Sequence, residues 1–255
     1  MPGNTTDTPI ERIAILIAMQ GEADPIINKL KMQEADPQKY GFHPLLGIKI
    51  YSTIQQEKEI FLAINGQDNV NKVERVGTQA AAVTAFTVIE KLKPDTIINA
   101  GTAGGLKDSQ IGDVFVSSGP IVYHDRRITF GNYPAYGKGS YDYVDLRIAA
   151  SALGMKPGIV SSGSSLDASA DNIRLLKEFN ADVVDMEAAA IAEIAARLGV
   201  RMIALKVITN FIDQNLHGDF EKNYSLAVGN LAEKVVALIP FILNKKPAQL
   251  CLPVS

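Results

Sequence analysis

Apolar residues in this chain fall into short unbroken runs separated by stretches of helical spacing. Ile13 to Ala18 (IAILIA) is the first run. A run without polar interruption reads as a strand buried on both faces, as in a parallel or mixed sheet. A helical pattern follows at 23–32 with apolar Ile26, Ile27 and Leu30, and Pro25 suits its first turn, where the missing N–H costs nothing. Residues 47–51 and 59–64 read as two strands. A long Ala- and Val-rich helix is expected over 73–92, punctuated by Pro94-Asp95, and a buried strand starts at 96–99. Residues 112–122 are strand-like, with β-branched Val114, Val116, Ile121 and Val122.

The stretch 125–143 is rich in Gly, Tyr, Asn and Pro and has little periodicity; long loops of this kind often act as lids. Beyond it the pattern predicts a short helix at 145–153, a strand at 158–162 and a helix at 171–179. A strand at 182–185 leads into an Ala-rich helix ending near Leu198. A buried strand at 202–208 and a last helix over 221–243, bent at Pro240, complete the series. No internal repeat, low-complexity block or linker interrupts it. Strands alternating with helices argue for one three-layer α/β domain, spanning 11–245 between a polar lead-in at 1–10 and a tail at 246–255.

Composition narrows the function classes. The 255 residues are 47 % hydrophobic and 21 % charged, ample for a core. With 25 Lys plus Arg against 28 Asp plus Glu the formal charge is −3, a poor match to a phosphate backbone; no nucleic-acid partner is expected. Cys251 is the only cysteine, and His43, His124 and His217 are scattered, so no disulfide or zinc-ligand spacing arises. The apolar stretch Val235 to Leu243 is too short to span a bilayer, and MPGNTTDTPIER holds no apolar signal core. The expected setting is a reducing cytoplasm, away from membranes.

In open α/β sheets ligands sit at the carboxyl ends of strands, and four strand ends carry polar residues. The first is Ala18-Met19-Gln20-Gly21-Glu22. The second is Ala100-Gly101-Thr102-Ala103-Gly104-Gly105, which lacks a Walker lysine and the dinucleotide fingerprint; it reads either as a close backbone approach to a ligand or as a tight turn. The third is Asp185-Met186-Glu187, and the fourth Thr209-Asn210 with Asp213 behind. Glu22 serves either as an acid favouring a helix N-terminus or as a functional carboxylate. On a helical wheel Glu187 points about 100° away from the polar face of Glu193 and Arg197, among Ala188, Ala190 and Ile191, so it must be paired, hydrogen-bonded or in use. Asn210 and Asp213 also suit a turn. His124-Asp125-Arg126-Arg127 reads as a solvated cluster at the mouth of the lid or an intersubunit ion pair. No Gly-x-Ser-x-Gly elbow is present, which disfavours serine hydrolase chemistry.

IAMQGE (17–22), INAGTAGG (98–105), YHDRR (123–127), DMEAAAIA (185–192) and ITNFID (208–213), in this order, resemble the nucleoside phosphorylase superfamily. The likeness covers residues 12–240 and is strongest to the 5′-methylthioadenosine/S-adenosylhomocysteine nucleosidases, with HDRR, DMEAAA and Lys206 resembling the plant-type enzymes. The resemblance implies one α/β domain around a twisted mixed sheet, a homodimer, no cofactor, and hydrolysis of the bond between adenine N9 and ribose C1′. It implies that Glu22 activates the attacking water, with Thr102 and Lys206 beside it. Glu187 would bind the ribose hydroxyls, with Met186 packed on the sugar and Asp185 alongside. Ala103 and Gly104 would be among the substrate-binding residues, and Leu166 and Asp167 would read the adenine edge. Met19 and Phe220 would line the 5′-alkylthio pocket, which Tyr123 and the following loop would help to close. The preferred nucleoside is expected to be 5′-methylthioadenosine, with S-adenosylhomocysteine also accepted.

Two positions depart from the family pattern. The family places an aspartate at 210, as the acid acting on purine N7; this chain has Asn210, whose amide donates a hydrogen bond but delivers no proton. Ser164 stands where an aspartate usually supports that acid. Three readings are compatible with Asn210: a deliberate Asp→Asn change, a natural phosphorylase acting on a 6-oxopurine nucleoside, or a nucleoside-binding or storage relative with little catalysis. A phosphorylase needs cations for phosphate; near the first strand end stands Glu22, which repels phosphate, while Arg75 in the long helix region keeps that alternative open.

Overall fold

The structure, a computed structural model, describes residues 8–106, 109–212 and 216–250. Asp213, the last residue of ITNFID, lies outside them, as do Cys251 and most of the lead-in and tail. Eleven strands form one mixed sheet: β1 (Ile13–Ile17), β2 (Gln33–Ala35), β3 (Lys49–Gln55), β4 (Lys58–Ile64), β5 (Thr96–Gly105), β6 (Val114–Ser117), β7 (Val122–Tyr123), β8 (Lys156–Gly158), β9 (Val160–Ser162), β10 (Val183–Asp185) and β11 (Arg201–Phe211). Among the described residues seven α-helices accompany them: α1 (Gln20–Leu30), α2 (Thr78–Leu92), α3 (Tyr133–Lys138), α4 (Arg147–Leu153), α5 (Ala170–Glu178), α6 (Ala188–Leu198) and α7 (Leu216–Ile242). This is the mixed α/β sheet expected from the sequence.

The unbroken apolar runs are buried on both sides because successive side chains point to opposite faces. Ile13, Ile15 and Ile17 enter one core with Ile203, Leu205 and Val207; α1, α4 and α7 cover that face. Ala14 and Leu16 enter a second core with Met202, Ala204 and Ile208, covered by α2 and α6. By length and composition α7 could cross a membrane. Its Ala227, Leu231, Val235, Leu238 and Ile242 are fully buried in the first core, and the helix runs through Pro240 to Ile242.

β5 is the axis of the sheet. One edge pairs along its whole length with β11 in parallel. The other pairs with β1 only as far as Leu16↔Asn99, and with antiparallel β10 only from Gly104↔Val184. Between those contacts, at 100–103, the second edge has no strand partner among the described residues.

Several expectations need correction. α1 begins at Gln20, so Pro25 lies in its second turn. α2 begins at Thr78, because residues 73–77 form a loop. Thr102 to Gly105 continue β5 and form no turn. Gly119-Pro120 divides the expected strand at 112–122 into β6 and β7, and the expected loop contains α3. The lead-in is less free than its polarity suggested, and the described part of the tail is anchored as well. Ile10 is fully buried and its N–H donates to Lys245 O, while Leu250 is fully buried in the first core. Truncating Leu205, central to β11, to Ala should cost about 2–5 kcal/mol in a denaturant melt, whereas Ile54→Thr on the exposed face of β3 should fall within about 0.5 kcal/mol of the parent.

Candidate active site

The unpaired stretch of β5 opens into a cavity of about 280 Å³ lined mostly by apolar groups. Met19 and Glu22 reach it from the start of α1, and Thr102, Ala103 and Gly104 from β5. Asp185, Met186 and Glu187 reach it from the end of β10, Asn210 from β11, Leu166 from the loop before α5, and Phe220 from α7. Eleven of the expected site residues therefore meet in one place. Asp167 is exposed and does not line the cavity, and Lys206 is buried behind its wall. Ala18, Val76, Ser165, Val184, Thr209 and Ile212 also line it and were not foreseen. Val76, Ser165 and Ile212 lie in loops whose course no local pattern encodes; Ala18, Val184 and Thr209 adjoin predicted residues and were open to inference.

Glu22 is the third residue of α1. Its Oε2 accepts from Met19 N at 3.3 Å, as an acid in the first turn can do for free backbone donors. The expected helix-terminus role is thus real, but Oε1 does more. It accepts from both Thr102 N and Thr102 Oγ1 at 2.7 Å. Thr102 N is a donor that a neighbouring strand would have taken. Burial pushes the Glu22 carboxyl above its usual range; the Thr102 bonds and the Lys206 charge oppose that rise. Oε2 is left the less engaged oxygen, beside the cavity.

Of the β5 glycines, Gly105 is the one whose size is required: a Cβ there would collide with Ser109 Oγ and lie 2.9 Å from Ile208 Cγ2, whereas a Cβ on Gly101 would only touch Glu22 Oε1 at 3.4 Å and one on Gly104 would lie 3.7 Å from Asn210 Nδ2.

Glu187 is the residue preceding α6 and lies outside the helical turn assumed on the wheel, yet it is buried as that argument required. Its Oε1 accepts from Gly77 N at 2.9 Å. Burial raises its carboxyl to about 7, Asp185 and Glu22 add to the rise, and Lys206 opposes it. Glu187 thus changes charge near neutrality.

Asn210 is aimed by an irregularity in β11. Ile208 pairs with Ala103 and Asn210 with Gly104, so Thr209 is an extra residue without a ladder partner. The Thr209 hydroxyl, 2.9 Å from Asn210 Oδ1 and 3.3 Å from Ala103 O, holds the amide oxygen. Asn210 therefore presents its Nδ2 donor to the cavity. Ser164 Oγ lies 2.6 Å from Thr78 Oγ1, and its N–H donates to Asp125, so it gives Asn210 no support.

The His124–Arg127 cluster is tied down by contacts within the chain, with Arg127 still exposed. Buried His124 bonds Ser161 Oγ at 3.1 Å, and burial lowers its pKa. Arg126 pairs with Glu193 at 2.7 Å and lies over the rings of Tyr123 and Tyr136. Arg127 donates to Asn172 Oδ1. Arg75 donates to Leu46 O on a separate groove, so no arginine lines the cavity among the described residues.

A mixed sheet that opens beside its central strand into an apolar cavity holding two buried glutamates defines an α/β protein with a small-molecule site, and the comparisons with known proteins say of which family. The profile of the phosphorylase superfamily matches residues 12–240. The 5′-methylthioadenosine nucleosidase of Arabidopsis thaliana is 33 % identical over 95 % of this chain and 91 % of its own. A 5′-methylthioadenosine/S-adenosylhomocysteine nucleosidase of the same plant is 33 % identical over 95 % of this chain and 96 % of its own. The apo structure of the Arabidopsis 5′-methylthioadenosine nucleosidase superposes with a TM-score of 0.89, at 33 % identity, over 94 % of this chain and 99 % of that one. The chain belongs to the phosphorylase superfamily, among its 5′-methylthioadenosine/S-adenosylhomocysteine nucleosidases.

A raised carboxyl binds its proton more tightly folded than unfolded, so its contribution to stability is present at low pH and lost as pH rises through about 7. Glu187→Gln keeps an acceptor for Gly77 N and removes the buried charge. It should raise the melting temperature at pH 8 and leave it nearly unchanged at pH 4, as calorimetry at the two pH values will show.

Proposed function

We propose that this chain is a nucleosidase that hydrolyses the adenine–ribose bond of 5′-methylthioadenosine, with S-adenosylhomocysteine as a second substrate, and that Asn210 slows it. The observation that carries the reading is the entry of two buried glutamates, 22 and 187, into one apolar cavity whose described lining holds no arginine. Glu22, oriented by both donors of Thr102, is suited to take a proton from water as the water oxygen bonds to C1′. The C1′–N9 bond breaks ahead of and during that bond formation, its electron pair leaves with adenine, and the base takes its proton from solvent. Ionised Glu187 accepts hydrogen bonds from ribose hydroxyls and, with Glu22, stabilises positive charge developing on the sugar. Met19 and Phe220 give the 5′-alkylthio group apolar contact.

The leaving base is where this chain departs from its family. Asn210 Nδ2 is placed to donate to a purine ring nitrogen and cannot transfer a proton. Loss of one general acid costs about 10²- to 10⁴-fold in rate. The same cavity favours water over phosphate: Lys206 is paired with Asp185 and Glu22 repels an anion.

A homodimer is also part of this reading. Val73, Val76 and Val83 are half exposed along one groove, with Phe86 a turn beyond Val83 on α2. Such a strip suits a protein partner. Val76 also lines the nucleoside cavity, so a second copy seated there would narrow its mouth.

Asn210→Asp should raise adenine release from 5′-methylthioadenosine by about 10²- to 10⁴-fold, equally with and without phosphate, and adding Glu22→Gln should abolish the gain. No gain, with hypoxanthine released from a 6-oxopurine nucleoside only in phosphate, would overturn the reading in favour of a phosphorylase. Sedimentation should show a dimer that Phe86→Glu converts to monomer.

A further inference from the structure

Asp185 lines the cavity wall, but all its described bonds run into the protein. Oδ1 accepts from Ser162 Oγ. Oδ2 accepts from Lys206 Nζ at 2.7 Å, Ala188 N at 2.8 Å and Glu187 N at 3.2 Å. Ser162 Oγ in turn accepts from Ala189 N at 2.8 Å. Together Ser162 and Asp185 satisfy three backbone donors at the open end of α6, and so fix the backbone from which Glu187 extends.

Capping alone does not require a charge, since a neutral asparagine or serine caps a helix as well as an aspartate does. Nor does stability require one. Asp185 and Lys206 are almost wholly buried, with side-chain exposures of 0 % and 1 %. A buried ion pair of this kind is often no better than well-packed apolar residues. What the charge does affect is its surroundings. Lys206 draws both Glu22 and Glu187 toward their ionised forms, while Asp185 repels charge on Glu187. Three carboxylates thus share one ammonium, and Asp185 holds its only ion-pair contact within 4 Å among the described residues.

We propose that Asp185 is a positioning residue that ties the Lys206 ammonium behind the cavity wall, and thereby sets how many protons the two glutamates carry at neutral pH. The proposal builds on the assignment of Glu22 and Glu187 as the reacting pair, but its physical content concerns their titration alone. Glu187 is faced by Lys206 from β11, Asp185 from the end of β10, Glu22 from α1 and the Gly77 N–H ahead of α2. Neutralising Asp185 removes a repulsion and releases the ammonium toward the glutamates, so Glu187 must lose its proton at lower pH. Neutralising Lys206 removes the attraction, so Glu187 must hold its proton to higher pH. A residue that only capped α6 would produce neither movement.

The test is a pH titration of the full-length protein carrying carboxyl-¹³C glutamate, followed by NMR, with the Glu187 signal assigned from Glu187→Gln. In the parent the midpoint should lie at about 7. Asp185→Asn, which preserves shape and capping, should move it down by about one pH unit or more, a tenfold change in proton affinity. Lys206→Met should move it up, and Asp185→Asn with Lys206→Met should fall between the two. Where Lys206→Met alone does not fold, the double variant, which buries no unpaired charge, supplies the second point. A midpoint in Asp185→Asn that coincides with the parent, or rises, overturns the proposal. These signals do not depend on turnover, so they separate from the assignment of function: with no adenine released by either the parent or Asn210→Asp and the midpoints moved as stated, the nucleosidase reading falls and the role of Asp185 stands.

Discussion

A strand must find partners for its backbone donors, and β5 does so on one edge with two different strands and a gap between them. β1 departs after Asn99 and β10 arrives at Gly104. Within the gap the N–H of Thr102 turns to a carboxylate. A buried donor without a partner is costly, and so is a buried carboxylate without one; here each satisfies the other. The cavity occupies the space the missing strand pairs would have filled. The other parts of the site follow from that gap. α1 starts there because β1 has ended, and β10, running antiparallel to β5, delivers Asp185, Met186 and Glu187 to the same opening.

Charge in that opening is held in a balance that favours chemistry over stability. Two glutamates are kept above their ordinary proton affinity by burial, and a single buried lysine limits the rise. A carboxylate in such surroundings is a better base than one in water, because its ionised form is less well solvated. On the function proposed above, the apolar walls that cause this also suit an alkylthio group, so the features that would hold the substrate's tail also sharpen the groups proposed to meet its sugar.

The order and kind of the main elements were legible because the strands IAILIA, 96–99 and 202–208 are apolar on both faces and the helices between them are not. The positions of Glu22, Glu187 and Asn210 were legible as strand ends in an α/β sheet, and the five motifs in order implied the roles proposed for them. What was not legible has physical reasons. The extension of β5 through Gly101, Gly104 and Gly105 ran against the usual reading of glycine as a turn residue; the tight packing of Gly105 on Ile208 of β11 depends on a strand far along the chain. Ile10 and Leu250 are buried by contacts between distant segments, which the local sequence of the lead-in and tail does not report. The relation of Lys206 to Asp185 is a side-chain contact between β11 and β10, and no spacing along the chain reports it.

The extra residue in β11 has a consequence for how this scaffold can diversify. Thr209 absorbs the mismatch in the ladder, and Asn210 keeps its backbone pairing to Gly104 whatever group its side chain bears. Exchanging an amide for a carboxylate there replaces one NH₂ by one oxygen and disturbs no strand pairing. On the function proposed above, a purine-releasing protein and a purine-holding one are then neighbours separated by a single codon, with the whole architecture between them unaltered.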